Sequence, residues 1–381
     1  MRNKGIEIAE VDFGDPLAPR ALRYGDVYHA RQGAFEQARH VFLGGNGLPG
    51  RWRGVPAFTI LETGFGLGNN FLATWQAWRA DEAVDRVARL RFVSIEKHPL
   101  CGADLARAHG ESPAPTLADA LRAAWPPLSP GMHVLGFDDD RVELLLYFGD
   151  VAAGLREIVA SVDAFYLDGY APARNPEMWD ERVWRALARL AAPGATAATW
   201  SAAAVVRAGL ARAGFEVEKM PGTGGKRDIT RARHAPRVAV RRPAARVGQP
   251  RASHVAIVGA GIAGALAARA LARAGLHVDV YESAQTVASG ASGNPAALVH
   301  GTFHPGDGPH ARALRSAALM ARQVYGEALA AGVSGRLDGL LRVAGSPHEG
   351  AIEGGIEGAI EQASIGGLAR VLADSGLPED Y

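Results

Sequence analysis

Two glycine-rich turns carry most of the chemistry legible in this sequence, each closing an apolar strand and opening a helix. The first runs Thr59-Ile60-Leu61-Glu62-Thr63-Gly64-Phe65-Gly66-Leu67-Gly68 and the second Val255-Ala256-Ile257-Val258-Gly259-Ala260-Gly261-Ile262-Ala263-Gly264. In the first, Glu62 precedes Gly64, Gly66 and Gly68. S-adenosylmethionine has no phosphates to cradle, and its ammonium and sulfonium suit an acid beside a glycine loop. The same glycines also suit a phosphate, so the turn alone leaves both ligands open. In the second, the spacing of Gly259, Gly261 and Gly264 allows a tight turn, close approach to a pyrophosphate and close helix packing, with a helix N-terminus facing the phosphates.

Acids at later strand ends extend the first site. Arg91-Phe92-Val93-Ser94-Ile95-Glu96-Lys97 ends with Glu96 placed to accept ribose hydroxyls, and Phe148-Gly149-Asp150 ends with a carboxylate that can receive an adenine amino group. Open parallel sheets bind ligands at such carboxyl ends. The segment Asp163 to Trp179 then holds Leu167-Asp168-Gly169-Tyr170-Ala171-Pro172, which puts Asp168 and the backbone to Pro172 beside a transferable methyl. An alkylamine with a pKa near a lysine's ~10.4 is almost wholly protonated at neutral pH, and only its neutral form attacks. Asp168 is the candidate catalytic group that orients the amine or takes its proton, while Tyr170 and Trp179 make the pocket partly apolar and lower the amine's pKa.

The second turn leads through Val278 and Val280 to Glu282, where a carboxylate can accept both ribose hydroxyls and repel a ribose phosphate; Ser283 follows it. NAD and FAD share this fingerprint. Ser289-Gly290-Ala291-Ser292-Gly293-Asn294 comes next and supplies hydroxyls and free N–H groups for a flavin's diphosphate and ribityl chain. This part resembles the amine-oxidising flavoproteins related to D-amino-acid oxidase. That resemblance implies a substrate lobe and a returning C-terminal segment, whereas 128 residues follow Ser253, so the flavin domain is expected to be truncated.

The elements that position these groups follow from pattern. With 381 residues and 48% hydrophobic content the chain is long enough for two cores. Strand candidates at 58–62, 90–96, 143–148, 163–168 and 195–200 alternate with helical stretches, which predicts a parallel sheet covered on both faces. Residues 215–220 and 229–234 read as a closing hairpin of the kind that ends methyltransferase sheets. An amphipathic segment covers Gln32 to Leu43 before a Gly44-Gly45-Asn46-Gly47 turn. Between Pro236 and Ala252 lie three prolines and five arginines with no acid, a linker by composition. This divides the chain into 1–235, 236–252 and 253–381. The repeat at 349–361 is a glycine-rich insertion to which no chemistry is assigned.

Net charge of +1 excludes a global nucleic-acid-binding field, so local clusters must serve. Lone Cys101 excludes an intramolecular disulfide and fits a reducing cytosol. The N-terminus lacks an apolar signal core and no run approaches the ~20 apolar residues of a membrane span. A cytoplasmic protein without membrane or metal partners is expected.

Taken together, Asp26–Ala30, Phe35–Leu48, Glu62–Asn70, Leu167–Trp179 and Gly290–Asn294 resemble the family of bacterial bifunctional tRNA 5-methylaminomethyl-2-thiouridine biosynthesis proteins. The resemblance implies an α/β chain: a Rossmann-like S-adenosylmethionine-dependent methyltransferase followed by a Rossmann-type FAD-binding domain. It adds Tyr28, Glu36, Asn69, Asn70 and Lys97 to the methyl-donor site. Its chemistry acts on the wobble uridine of tRNA. FAD-dependent removal of a carboxymethyl group leaves an aminomethyl group, which is then N-methylated. Tyr170 replaces the family's commoner Phe, and Ala297 stands where Gly is usual. Arg174, Lys226 and Arg227 are the candidate tRNA contacts, acting on phosphates without reading sequence. Two competing readings are an amine oxidoreductase with an accessory nucleotide domain and a tRNA-binding scaffold; the set Glu62, Glu96, Asp150 and Asp168 argues against both.

Overall fold

The computed structural model describes residues 6–83, 85, 87–236, 253–295, 297–299 and 308–337. Most of the linker and the 349–361 repeat lie outside the described residues.

The chain begins with a small antiparallel meander, β1 (Val11–Asp12), β2 (Arg20–Ala21) and β3 (Asp26–Val27), followed by α1 (Ala34–Gln37), a π-turn over Ala38–Leu43 and a 3-10 turn over Gly44–Asn46. The amphipathic stretch read from the sequence is therefore helical but irregular. It buries Phe35, Val41 and Phe42, and Asn46 holds its end by donating to the carbonyls of Phe42 and Phe165 at 2.8 and 3.3 Å.

The main sheet follows: β4 (Ala57–Glu62), α2 (Asn69–Ala80), β5 (Arg89–Glu96), α3 (Gly102–Ala108), α4 (Pro115–Ala123), β6 (Gly131–Phe137), β7 (Val142–Phe148), α5 (Val151–Glu157), β8 (Val162–Tyr166), α6 (Glu181–Leu190), β9 (Ala191–Thr199), α7 (Ala204–Arg212), β10 (Phe215–Pro221) and β11 (Asp228–His234). Its eight strands run in the order β10-β11-β9-β8-β4-β5-β7-β6. Five central strands are parallel, and β6, β10 and β11 pair antiparallel at the edges. All five strand candidates and the closing hairpin are present.

Alternation of side chains across the central strands divides the interior into two layers. Ile60, Phe92 and Tyr166 pack on one face with Phe71, Leu72 and Trp75 of α2, while Leu61, Val93 and Phe165 pack on the other with Leu155, Trp184 and Leu187. Each such side chain is worth about 1.5–3 kcal/mol of burial. Because strand order reverses about β4, whose neighbours are β5 and β8, a crevice opens beyond its carboxyl end. The edge strand β6 has no counterpart in the pattern reading. It folds back on β7 through Asp138, Asp139 and Asp140, all at positive φ, and Asp138 accepts from Trp75 Nε1 at 2.6 Å.

Beyond the linker stand β12 (His254–Val258), α8 (Ile262–Arg273) and β13 (His277–Tyr281), a parallel two-stranded sheet with one helix. Helix α8 buries no residue. A long helix, α9 (Pro309–Ala330), lies against β6 of the main sheet, where Ser316 Oγ donates to the Met132 carbonyl at 2.6 Å and Arg312 pairs with Glu157 at 2.7 Å.

Candidate active site

The first glycine turn lies in the crevice beyond β4. Gly66 adopts φ +53°, a left-handed conformation costly for other residues, and a Cβ there would meet the Tyr28 ring at 3.2 Å. Its N–H donates to Glu96 Oε2 at 2.8 Å, and His98 N–H donates to Glu96 Oε1 at 2.8 Å. Burial pushes the Glu96 carboxyl up despite these donors. The turn is braced from outside by His109, whose Nε2 lies 2.7 Å from the Leu67 carbonyl.

Asp168 stands just past β8, across from the turn. Its Oδ2 accepts from Asn70 Nδ2 at 2.7 Å and its Oδ1 from Gly169 N–H at 2.9 Å, while its carbonyl accepts from Thr63 Oγ1 at 2.8 Å. Burial pushes its carboxyl up to about 6, with the Asn70 and Gly169 donors opposing. This acid therefore changes charge near neutrality, a useful property for a group that accepts a proton.

The loop after Asp168 is held from two sides. Trp179 Nε1 donates to the Tyr170 carbonyl at 3.1 Å, Ala171 N–H to Asp26 Oδ2 at 3.2 Å, and Arg174 Nη1 to the Tyr24 carbonyl at 3.1 Å. The Tyr170 ring stacks on Tyr24 at 4.4 Å and meets Tyr28 edge-on at 5.8 Å. Desolvation pushes Tyr28 up to about 12 and raises Tyr170 as well, so both phenols are neutral.

These groups enclose a cavity of about 330 Å³. Of the residues expected at the methyl-donor site, Tyr28, Gly64, Gly66, Asn69, Asn70, Glu96, Lys97, Asp150 and Asp168 line it, and so does Tyr170. Several expected contacts lie elsewhere. Glu62 is fully buried behind the turn, where it accepts from Asn70 at 2.8 Å and Ser94 Oγ at 2.7 Å, and it does not line the cavity. Gly68 caps α2 beneath Phe65. Glu36 faces solvent, because at this helical register the neighbouring Gln37 turns inward and accepts from Ala30 N–H at 2.9 Å. Trp179 points into the core against Trp184 and buttresses the loop rather than forming the amine pocket. Asp150 lines the wall but caps α5 through Ala152 and Ala153 N–H at 3.0 and 3.2 Å.

Pro172, Arg174, Lys226 and Arg227 lie outside the cavity wall. Lys226 sits over Trp200 at 5.2 Å. Tyr24, His29, Gln37, Thr63, His98 and Met178 line the cavity without having been expected there. Apolar spacing does not single them out, since most come from the irregular N-terminal layer or from loops.

The second turn is built to its own pattern. A Cβ on Gly264 would come within 1.9 Å of the Gly259 carbonyl, which bars any side chain there. Ser292 Oγ accepts from Ile262 N–H at 3.0 Å and Ala288 N–H donates to the Ala260 carbonyl at 3.1 Å, folding Ser289 to Asn294 against the turn around Gly261. A Cβ on Gly293 would strike the Ala288 carbonyl. Glu282 accepts from Ala260 N–H at 2.8 Å, Ala284 N–H at 3.0 Å and Ser283 Oγ at 3.1 Å, which holds its carboxyl down at about 2. The glycines and serines fit the dinucleotide half of a flavin, while the described residues supply no wall for its ring system. Ser289, Asn294 and Ala297 are exposed.

Residues 113–235 match the family model of S-adenosyl-L-methionine-dependent methyltransferases, and residues 254–375 that of FAD dependent oxidoreductases. The chain is 59% identical over 346 residues to the tRNA 5-methylaminomethyl-2-thiouridine biosynthesis bifunctional protein of Methylibium petroleiphilum, covering 90% of this chain and 53% of the relative. It is 45% identical over 374 residues to the protein of the same name from Thiobacillus denitrificans, covering 98% and 57%. The crystal structure of MNMC2 from Aquifex aeolicus is similar at a TM-score of 0.49 and 20% identity, covering 62% of this chain and 73% of that one. No helix among the described residues is long and apolar enough to cross a membrane. The chain spans about half the length of the curated relatives it matches, and over that half it belongs to the family of tRNA 5-methylaminomethyl-2-thiouridine biosynthesis bifunctional proteins.

Proposed function

We propose that residues 1–235 form an enzyme that methylates the primary amine of 5-aminomethyl-(2-thio)uridine at the wobble position of tRNA. In the same reading, residues 253–381 contribute to a flavoenzyme that prepares this amine by removing the carboxymethyl group of 5-carboxymethylaminomethyl-(2-thio)uridine, and 236–252 link the two in a cytoplasmic protein. The observation that carries the first part is Asp168, an acid pushed up to about 6 at the wall of a cavity formed by a glycine turn and strand-end carboxylates.

S-adenosylmethionine, when bound, supplies an electrophilic methyl group on a sulfonium. The residues present fit it: Gly64 and Gly66 leave space that a Cβ would fill, and Glu96 and Asp150 offer carboxylates from adjacent strand ends. Asn69 and Lys97 stand at the same wall. Asp168, ionised above about pH 6, accepts a hydrogen bond from the substrate's ammonium and draws its proton, freeing the nitrogen lone pair. Tyr24 and Tyr170, stacked on each other at the cavity wall, offer an aromatic surface for a uracil ring. Arg174, which donates to the Tyr24 carbonyl, Lys226, which lies over Trp200, and Arg227 are the phosphate contacts in this reading. Gly259, Gly261, Gly264, Glu282 and the segment Ser289 to Asn294 would hold the FAD dinucleotide.

The test offers the purified chain radiolabelled S-adenosylmethionine and tRNA carrying 5-aminomethyluridine. Label in the wobble nucleoside is expected; its absence from folded protein overturns the reading. A flavin absorbance spectrum after incubation with FAD tests the second part independently.

A further inference from the structure

We propose that Asn70 is the positioning residue for Asp168, and that Glu62 anchors Asn70 as a neutral acid behind the turn, so that a Glu62–Asn70–Asp168 chain presents one carboxylate to the amine. This inference rests on the methyl-transfer reading. Asn70 Nδ2 donates to Glu62 Oε1 at 2.8 Å and to Asp168 Oδ2 at 2.7 Å. A primary amide nitrogen carries two hydrogens, one for each acid. The opposite orientation would face the amide oxygen toward two carboxyl groups, so the acids fix the amide and the amide fixes Asp168. Asn70 is itself held in α2: Thr74 Oγ1 donates to its carbonyl at 2.7 Å and lies 3.2 Å from Tyr166 Oη.

Glu62 has no solvent contact, and its second oxygen lies 2.7 Å from Ser94 Oγ. Two carboxyl groups linked through one nitrogen, the deeper of them sealed from water, do not both ionise. The proton stays on Glu62, the deeper of the two, and Asp168 at the cavity wall carries the charge. Burial first, and the neighbouring Asp168 second, push Glu62 well above the usual carboxylate range. The other titratable groups lining the cavity with Asp168 are Glu10, Arg23, Tyr24, Tyr28 and His29 of the N-terminal layer, Glu96 at the end of β5 with Lys97 and His98 after it, Asp150 beyond β7, and Tyr170 and Glu177 of the loop that follows Asp168. None of them donates to the Asp168 carboxylate among the described hydrogen bonds, which come from Asn70 and Gly169.

The test reads Asp168 by NMR of carboxyl-13C-labelled protein without donor or tRNA, alongside kinetics of the full chain. In Asn70→Leu the loss of a donor to the ionised form should move the Asp168 midpoint up by about one unit, and the acid limb of kcat/KM with it. The rate kcat should fall about 10–100-fold while KM for S-adenosylmethionine changes less than about threefold. Asn70→Ala provides the same reading if the larger side chain prevents folding. Glu62→Gln can keep both contacts, its oxygen accepting from Asn70 and its amide donating to Ser94 Oγ once that hydroxyl rotates from donor to acceptor, so the Asp168 midpoint should remain at the unsubstituted value. An unmoved midpoint in both Asn70 variants overturns the chain, and a midpoint that falls in Glu62→Gln shows Glu62 to be ionised and overturns its role. A chain that shows the NMR shifts but never methylates tRNA instead sinks the functional reading on which this rests.

Discussion

The two glycine turns share a local design and differ in what surrounds them. Behind the first stand Ile60 and Leu61 with no solvent exposure, two core layers and a sheet of eight strands. Behind the second, among the described residues, are two paired strands with Val258 90% exposed and a helix that buries no residue. Their acids differ accordingly. Asp168, partly buried at the cavity wall, is pushed up to about 6 by desolvation, whereas Glu282, exposed and fed by its own turn's N–H groups, is held at about 2. A glycine turn fixes where a ligand's backbone contacts fall; burial decides whether the acids beside it become chemically active.

The largest expected effect separates the two sites by chemistry. Asp168→Asn should lower methyl-transfer kcat by about 10²–10⁴-fold, and unchanged turnover would refute its role. Flavin binding, if the second turn supports it, should be indifferent to this change in a fluorescence titration.

The pH dependence sharpens the contrast. Because Asp168 is raised, kcat/KM should climb through about pH 6. Its folded-state pKa lies above the unfolded value near ~3.9. Protonation therefore favours the folded chain, and that contribution is lost as pH rises from the unfolded value through about 6. Asp168→Asn should accordingly raise Tm at pH 8 by about 2–4 °C, measured by calorimetry; a lower Tm would contradict the sign.

Substituting equivalent glycines tests the role of packing. Gly66→Ala places a Cβ at φ +53° against Tyr28 and should cost about 1–2 kcal/mol of stability in the main unit, with donor affinity weakened about tenfold. Gly264→Ala carries a more severe clash, yet it should leave the main unit's melting transition in place, since the second turn contributes nothing to that core. A common loss of Tm in both variants would show that the two parts unfold together through α9. Smallest of all, Lys226→Ala should raise KM for tRNA about threefold and reduce the salt slope by about one; the same KM with an unaltered slope would remove Lys226 from the RNA surface.

Much of this is legible in the sequence. The five parallel strands declared themselves because each is buried on both faces and reads as an apolar run, and the strand-end acids followed from where those runs stop. The edge strand β6 was missed: His133, Gly136 and the three aspartates after it blur the alternation that marks a strand. Glu36 and Trp179 sit within motif segments yet do not line the cavity, because adjacent residues on a helix or a tight loop point in different directions. Gln37 and Met178 take the inward places instead.

By itself the sequence determined the fold class, the two turns and the place of Asp168 just past a strand end, because strand periodicity and glycine spacing are local properties. Only the tertiary structure decided the ranking of the acids. Glu62 and Asp168 stand 106 positions apart and become one hydrogen-bonded unit when β4 and β8 pair side by side. Their charge states depend on distance, shared donors and exclusion of water, quantities that exist only once the sheet has formed.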